Sequence, residues 1–262
     1  MKVLVKLGGT LLDAPESRAR LASELAAAAR EGTELVVVHG GGKQMTRYLA
    51  ERGIESRFVN GLRVTTPETI DAVLKVFAGS VNHELVSALV AAGAPAVGLS
   101  GIDACLTEAE PLDPALGAVG RIARVNPGLL HLLTANGYVP VVACVGGDRQ
   151  GRIYNVNADQ MAVACAAAFG AEILLFLTDV QGVLNAERQL IPELTAAECD
   201  LLIAQGVATG GMQAKLNAAS EAVRRGVGRV WIAPGAVSGV VRQALQNQAV
   251  GTSLVRGVVQ DA

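Results

Sequence analysis

Six short apolar runs, at 2–7, 34–39, 94–99, 139–144, 173–178 and 230–233, recur between longer amphipathic stretches along the whole chain. Each run has four to six residues with little internal polarity, as in parallel strands covered on both faces. Helical periodicity fills the intervals at 16–30, 43–52, 67–92 (interrupted near Gly79), 127–136, 158–169, 196–205, 212–225 and 239–246. Glycines at 32, 53, 93, 137 and 226 stand where helices end. This alternation predicts an α/β fold: a three-layer αβα sandwich on an open, mainly parallel sheet with helices on both faces. At 262 residues, 51% hydrophobic and 18% charged, the chain is long and apolar enough for one large unit or two fused lobes. No Pro/Gly/Ser linker divides it, and the softest seam is Gly170-Ala171. An N-terminal lobe, 1–170, and a C-terminal lobe, 171–262, are therefore expected to share one continuous sheet.

Three segments break the alternation. At 57–65 an Asn60-Gly61 pair between β-prone residues signals a hairpin. Residues 103–124 are loop-rich and expected to hold short antiparallel strands, and 184–192 reads as a β-turn ribbon. No repeat or low-complexity tract appears. The net charge of −2 and 3% aromatics argue against a nucleic-acid partner or a membrane-surface binder. The most apolar stretch, 161–177, contains Gly170 and Glu172 and reads as a helix followed by a buried strand, not a membrane span. The first residues, MKVLVKLGG, lack the long apolar segment of a signal peptide, so a cytoplasmic protein is expected. Cys105, Cys144, Cys165 and Cys199 are scattered, without a metal-site spacing or a neighbouring His.

Six motifs carry chemistry. Lys6-Leu7-Gly8-Gly9-Thr10 closes the first strand, at the sheet edge where ligands collect; its glycines let a phosphate approach backbone N–H groups, although a tight turn explains it equally. His39-Gly40-Gly41-Gly42 leaves bare amides at a helix N-terminus, which suits a carboxylate or phosphate. It is neither a Walker A loop nor G-x-G-x-x-G. Arg63, in Asn60-Gly61-Leu62-Arg63-Val64-Thr65, can grip a carboxylate or be an ordinary surface arginine. Asn155-Val156-Asn157-Ala158-Asp159 opens an Ala-rich helix, where one Asn suffices as a cap and the further Asn and Asp exceed that need. Thr178-Asp179-Val180-Gln181-Gly182-Val183 follows an apolar strand, as a ribose- or base-binding loop or merely a loop. Lys215, in Gly210-Gly211-Met212-Gln213-Ala214-Lys215, sits about one turn into a helix, where a cation opposes the helix dipole unless an anion is near.

Two lysines, several glycine-rich cradles and one acid suit phosphoryl transfer, in which the protein positions groups and offsets charge. No Ser-His-Asp order is present, and His39, His83 and His131 stand isolated, with no catalytic role required of them. A dinucleotide-binding dehydrogenase would need G-x-G-x-x-G after the first strand, where this chain has GGTLLD.

With KLGG at 6–9, HGGG at 39–42, NGLRVT at 60–65, VGLSG at 97–101, NVNADQ at 155–160, TDVQGV at 178–183 and GGMQAK at 210–215 in one order, the chain resembles the amino acid kinase family. Within it, NGLRVT and NVNAD resemble the members that phosphorylate N-acetyl-L-glutamate in bacterial arginine biosynthesis. The resemblance covers essentially the whole chain and implies ATP with Mg2+ as co-substrate. It implies that Lys6 and Lys215 neutralise the phosphoryl group in transit and that Asp159 holds both lysines. It implies that Gly8, Gly9 and Gly41 donate N–H groups to phosphates, and that Gly41, Gly42, Arg63 and Asn155 bind N-acetyl-L-glutamate. Thr178, Asp179, Val180, Gln181, Gly182, Val183 and Leu184, with Val207, Ala208 and Thr209, are implied to hold ATP. Mg2+ is implied to ride on the nucleotide phosphates, with no protein side chain as metal ligand.

Lys43 and Cys105 depart from the family pattern on the substrate side, which keeps N-succinylglutamate or a carrier-linked aminoadipate as alternative acceptors. The chain starts a few residues before its first strand, whereas arginine-inhibited members carry an extra N-terminal helix; the expectation is a homodimer without arginine feedback. A sensor that kept the fold and lost the chemistry is the alternative from another class, and the joint presence of Lys6, Asp159 and Lys215 speaks against it.

Overall fold

A computed structural model describes residues 1–256 of the chain. The strands are β1 (Lys2–Leu7), β2 (Glu34–His39), β3 (Phe58–Val59), β4 (Leu62–Arg63), β5 (Ala96–Ser100), β6 (Thr107–Pro111), β7 (Val119–Val125), β8 (Val139–Ala143), β9 (Val145–Gly147), β10 (Ile153–Val156), β11 (Ile173–Thr178), β12 (Glu193–Thr195), β13 (Arg229–Pro234) and β14 (Thr252–Val255). The helices are α1 (Gly9–Asp13), α2 (Pro15–Arg30), α3 (Gly42–Ala50), α4 (Pro67–Val73), α5 (Asn82–Ala91), α6 (Gly128–Ala135), α7 (Ala158–Phe169), α8 (Ala196–Ala204), α9 (Gly210–Arg224) and α10 (Val240–Leu245).

Eight strands form one sheet in the order β12-β14-β13-β11-β1-β2-β8-β5, with every pairing parallel except β13 with β14. The six expected apolar runs are all strands of this sheet, and three of them, β1, β2 and β11, fall on the expected bounds. All of β11 and all but the first residue of β1 and of β2 are buried, which is why these strands carry no polar alternation. Helix α2 packs against both α5 and α10, and α9 packs against both α7 and α8, so that two helix groups cover the sheet.

Helix ends follow local chemistry. The Asn157 side chain caps α7 by accepting from the N–H groups of Asp159 (2.9 Å) and Gln160 (3.2 Å), an interaction of about 1 kcal/mol. Gly170, at φ 72°, closes the same helix in the left-handed region that L side chains avoid. The stretch 161–177 is α7 followed by β11, as its composition suggested.

Several elements went unread in the sequence. The weak strands β12 and β14 and the five-residue α1 lie outside the expected set. Segment 103–124 does contain the antiparallel pair β6–β7, but these strands also close with β9 and β10 into a small barrel. The interruption expected near Gly79 is a π-helical stretch, Leu74–Val81, continuous with α4 and α5. The whole run Pro67–Ala91 is long and apolar enough to cross a membrane, with mean hydropathy 1.3. Here Val76, Phe77, Val81, Leu85 and Leu89 face the core.

Candidate active site

The C-terminal ends of β1, β2 and β11 lie side by side, because Leu7 is in register with both His39 and Leu177. From β1 the chain builds outward to β2 and later, in the other direction, to β11, so this is the point where strand order reverses. Ligands of open α/β sheets bind in such a crevice.

Lys6, near the end of β1, points its Nζ at Asp159 Oδ1, 2.6 Å away. Asp159 sits in the first turn of α7, held by the Asn157 cap. Lys215, in the second turn of α9, approaches the other carboxylate oxygen at 4.0 Å. All three side chains are at most 22% exposed. Apart from the ion pair, Asp159 Oδ1 is buried without a hydrogen-bond partner. One carboxylate thus stands between two ammonium groups from different parts of the chain, leaving the trio with a net positive charge. Lys215 opposes its helix dipole, as its position implied, and the nearby anion is Asp159.

The glycine loops meet beside this trio. Gly8 N–H donates to Leu177 O at 3.0 Å, seating the first loop against the end of β11; a Cβ on Gly8 would lie 3.8 Å from Thr178 Cα. A Cβ on Gly9 would come within 3.2 Å of Gly42 N, and one on Gly41 would press into the Phe77 ring at 2.8 Å. A side chain at Gly9 would fill the space between the two loops, and one at Gly41 would collide with Phe77 and Val81.

The Asn60-Gly61 hairpin forms as expected, with φ of 50° and 77° at its two central residues, the mark of a type I′ turn. It carries Arg63, which is 8% exposed and not on the open surface. The guanidinium donates to Ser56 Oγ, to Thr46 Oγ1 (2.8 Å) and to Gly42 O (3.2 Å), and its Cζ lies 4.6 Å from the centre of the facing Phe58 ring. Burial lowers its pKa, yet an arginine in this setting stays charged. Asn155 Nδ2 donates to Thr65 Oγ1 at 3.1 Å, tying the small barrel to the base of the hairpin. A cavity of about 610 Å3 opens here, lined among others by Gly9, Gly42, Lys43, Thr46, Phe58 and Arg63. None of the residues 178–184 or 207–209 borders it.

The remaining expected residues are spread along the other side. Thr178 is buried at the end of β11, with its hydroxyl 3.1 Å from Asp179 Oδ1, while Asp179, Val180 and Gln181 are exposed. Val183 points into the core and Gly182 packs against Leu190 and Thr252, so these two can offer a ligand only backbone. Leu184 bridges Leu190 in the ribbon expected at 184–192. Val207 and buried Ala208 lead to Thr209, the residue just before α9. Beneath the site Cys144 is buried, and burial pushes its thiol up to about 12, which keeps it protonated and inert. Among the described residues, no three His, Cys, Asp or Glu side chains cluster as a metal centre requires.

His39 is the residue sequence reasoning left idle. It is fully buried, and both ring nitrogens are engaged, by Gly40 O at 2.8 Å and Asn82 Nδ2 at 2.9 Å. Its partner lies 43 residues downstream, so no local pattern pointed to the pair.

The chain is similar in sequence and in fold to known proteins. The chain is 68% identical over 255 residues to the acetylglutamate kinase of Solibacter usitatus, covering 97% of this chain and 99% of that one. It is 42% identical to the acetylglutamate kinase of Koribacter versatilis, covering 98% and 100%. In structure it is similar to N-acetylglutamate synthase from Neisseria gonorrhoeae complexed with coenzyme A and N-acetyl-glutamate, with TM-score 0.88 and 26% identity, covering 98% of this chain and 60% of that one. Carbamate kinase from Giardia lamblia shares the fold, with TM-score 0.74 and 18% identity, covering 98% of each chain. Residues 1–234 match the amino acid kinase family; with the lysine–aspartate–lysine trio at the strand-order reversal, this chain belongs to that family.

Proposed function

We propose that this protein is an enzyme that transfers the γ-phosphoryl group of Mg·ATP to the side-chain carboxylate of N-acetyl-L-glutamate, in arginine biosynthesis. The acetylglutamate kinases that match nearly the full chain support this reading. The observation that carries the chemistry is Asp159 held between Lys6 and Lys215 beside two apposed glycine loops. A carboxylate oxygen of the acceptor attacks the γ-phosphorus as the bond to the ADP oxygen breaks, giving an acyl phosphate and ADP. The attacking group is already ionised, so no base is needed. Lys6 and Lys215 offset the charge spread over the moving phosphoryl oxygens, and Asp159 keeps the two ammonium groups apart and aimed. Gly9 and Gly41 donate backbone N–H groups to phosphate oxygens; the Gly8 N–H, expected from the sequence to do the same, is instead spent on Leu177 O and seats the loop.

In this reading the cavity beside Arg63 takes the acceptor, with Arg63 on a carboxylate and Gly42 in its wall; Gly41 and Asn155, which do not line the cavity, contact the acceptor where it extends toward the trio. Residues 178–184 and 207–209 take the nucleotide, with Mg2+ carried on its phosphates. The acceptor and nucleotide parts correspond to lobes 1–170 and 171–262; residues 257–262 lie outside the described residues. Lys43 lines the acceptor cavity and has no ion-pair partner among the described residues. It favours, as a second reading, an acyl chain that itself ends in a carboxylate.

An ADP-release assay with N-acetyl-, N-succinyl- and free L-glutamate, with hydroxylamine to trap acyl phosphate, ranks these. The expected result is hydroxamate formation with strong preference for the acetyl compound. Preference for the succinyl compound keeps the mechanism and changes the acceptor; no turnover with any of the three sinks the reading.

A cytoplasmic homodimer completes the proposal. Among the described residues strand β5 ends the sheet with no partner on its outer edge, and exposed Val90 and Leu132 lie on the nearby helices. A second copy pairing across this edge would cover both. Light scattering of the full chain is expected to give the mass of two chains; a monomer at micromolar concentration contradicts the pairing.

A further inference from the structure

We propose that His39 is a positioning residue that aims the Gly41 N–H at the anionic group bound by the glycine loop; this rests on the phosphotransfer reading above. The tautomer of the ring follows from its surroundings. Asn82 Nδ2 lies 2.9 Å from Val141 O and 3.4 Å from Leu99 O, two carbonyls that only an NH2 group can face. The amide orientation is thereby fixed, so at 2.9 Å Asn82 Nδ2 donates to His39 Nε2. The ring proton then resides on Nδ1 and is donated to Gly40 O at 2.8 Å. Burial lowers the His39 pKa to about 4, so the ring stays neutral and this arrangement persists across the working pH range.

The geometry of one peptide does the rest. In a trans peptide the C=O and the following N–H point in opposite directions, and this chain has no cis peptide among its described residues. Holding Gly40 O down against the buried ring turns the Gly41 N–H the other way. Among the described residues that N–H meets no acceptor, although Gly41 is buried. A buried donor without a partner is uncommon unless a ligand supplies one. Were the peptide to flip, the Gly40 carbonyl oxygen would face the anion in its place.

The π-helical stretch Leu74–Val81 and the start of α5 supply the support. Phe77 and Val81 close on Gly41, and Asn82, the next residue, reaches His39. Asn82 is seated against Gly98, where any Cβ would collide with its Oδ1. This gives the glycine of VGLSG a structural purpose.

Two measurements test the assignment. Long-range 1H–15N NMR of the full wild-type chain, assigned against His39→Asn, reads the tautomer without any substrate. A proton on Nδ1 is expected, and one on Nε2 overturns the proposal whatever the acceptor proves to be. In kinetics, His39→Leu keeps bulk and removes the donor, and is expected to lower kcat/KM by about 10- to 100-fold, less than loss of a whole oxyanion-type donor. His39→Asn places an amide nitrogen near the Nδ1 position and is expected to retain activity within about fivefold of wild type. A packing role alone gives the reverse order, with Leu near wild type and Asn impaired, and that order overturns the proposal. If circular dichroism shows that the Leu variant does not fold, the Asn variant decides: activity within about fivefold supports the proposal, and a loss beyond about 50-fold overturns it.

Discussion

Replacing Lys6 or Lys215 with alanine is expected to lower kcat by on the order of 10²–10³, with KM for N-acetyl-L-glutamate little changed. In the proposed mechanism both ammonium groups face the point where charge redistributes in the transition state, so their loss is expected to be felt in the chemical step more than in ground-state binding. The two variants should differ in detail. Lys6 is in contact with Asp159 at 2.6 Å, whereas Lys215 stands 4.0 Å away. Removing Lys6 leaves a nearly buried carboxylate without its close partner, which then repels the incoming phosphate. Lys6→Ala is therefore the more damaging of the pair, and Lys6→Ala combined with Asp159→Asn should be less impaired than additivity demands. Steady-state rates of the single and double variants check this. Near-normal turnover by Lys215→Ala removes the assignment.

Arg63→Ala is expected to act on the other parameter, raising KM for N-acetyl-L-glutamate by about 10- to 100-fold while kcat falls less, the scale of one lost charge-assisted hydrogen bond. Three of the five guanidinium N–H donors are used by Ser56, Thr46 and Gly42, leaving two for a ligand carboxylate. Arg63→Lys should not restore binding, because an ammonium cannot hold those three partners, stack on Phe58 and reach a carboxylate together. Initial rates against acceptor concentration separate the cases. An unchanged KM in Arg63→Ala places the acceptor elsewhere.

The strands at the centre of the sheet were legible because burial on both faces leaves them uniformly apolar, as in Val3, Leu4 and Val5 of β1. Strands β12 and β14 were not, since three- and four-residue segments toward the far end of the sheet carry Glu193, Thr252 and Ser253 among their few residues. The barrel was only half read, because its closure depends on β9 and β10 pairing back to strands tens of residues away. At the site, the two lysines and Asp159 stood out by type and motif. Arg63 alone resembled a surface residue, and only the fold reveals that Phe58 and Thr46 enclose it. His39 was illegible for the same reason: its meaning lies in Asn82, and that contact is a product of tertiary packing.

The place of β1 in the sheet bears on how the chain is made. Val3 pairs on one side with Leu35 and on the other with Ile173, 170 residues later. At ribosomal rates of 5–20 residues per second, roughly 10–30 s separate the synthesis of these two partners. Once β2 has paired, and until Ile173 is made, the first strand presents one bare edge of unpaired N–H and C=O groups, which is the kind of surface that recruits other chains. The same strand that carries Lys6 into the candidate active site is thus a liability of the nascent chain, and yield during expression should depend on how well that edge is shielded before Ile173 arrives.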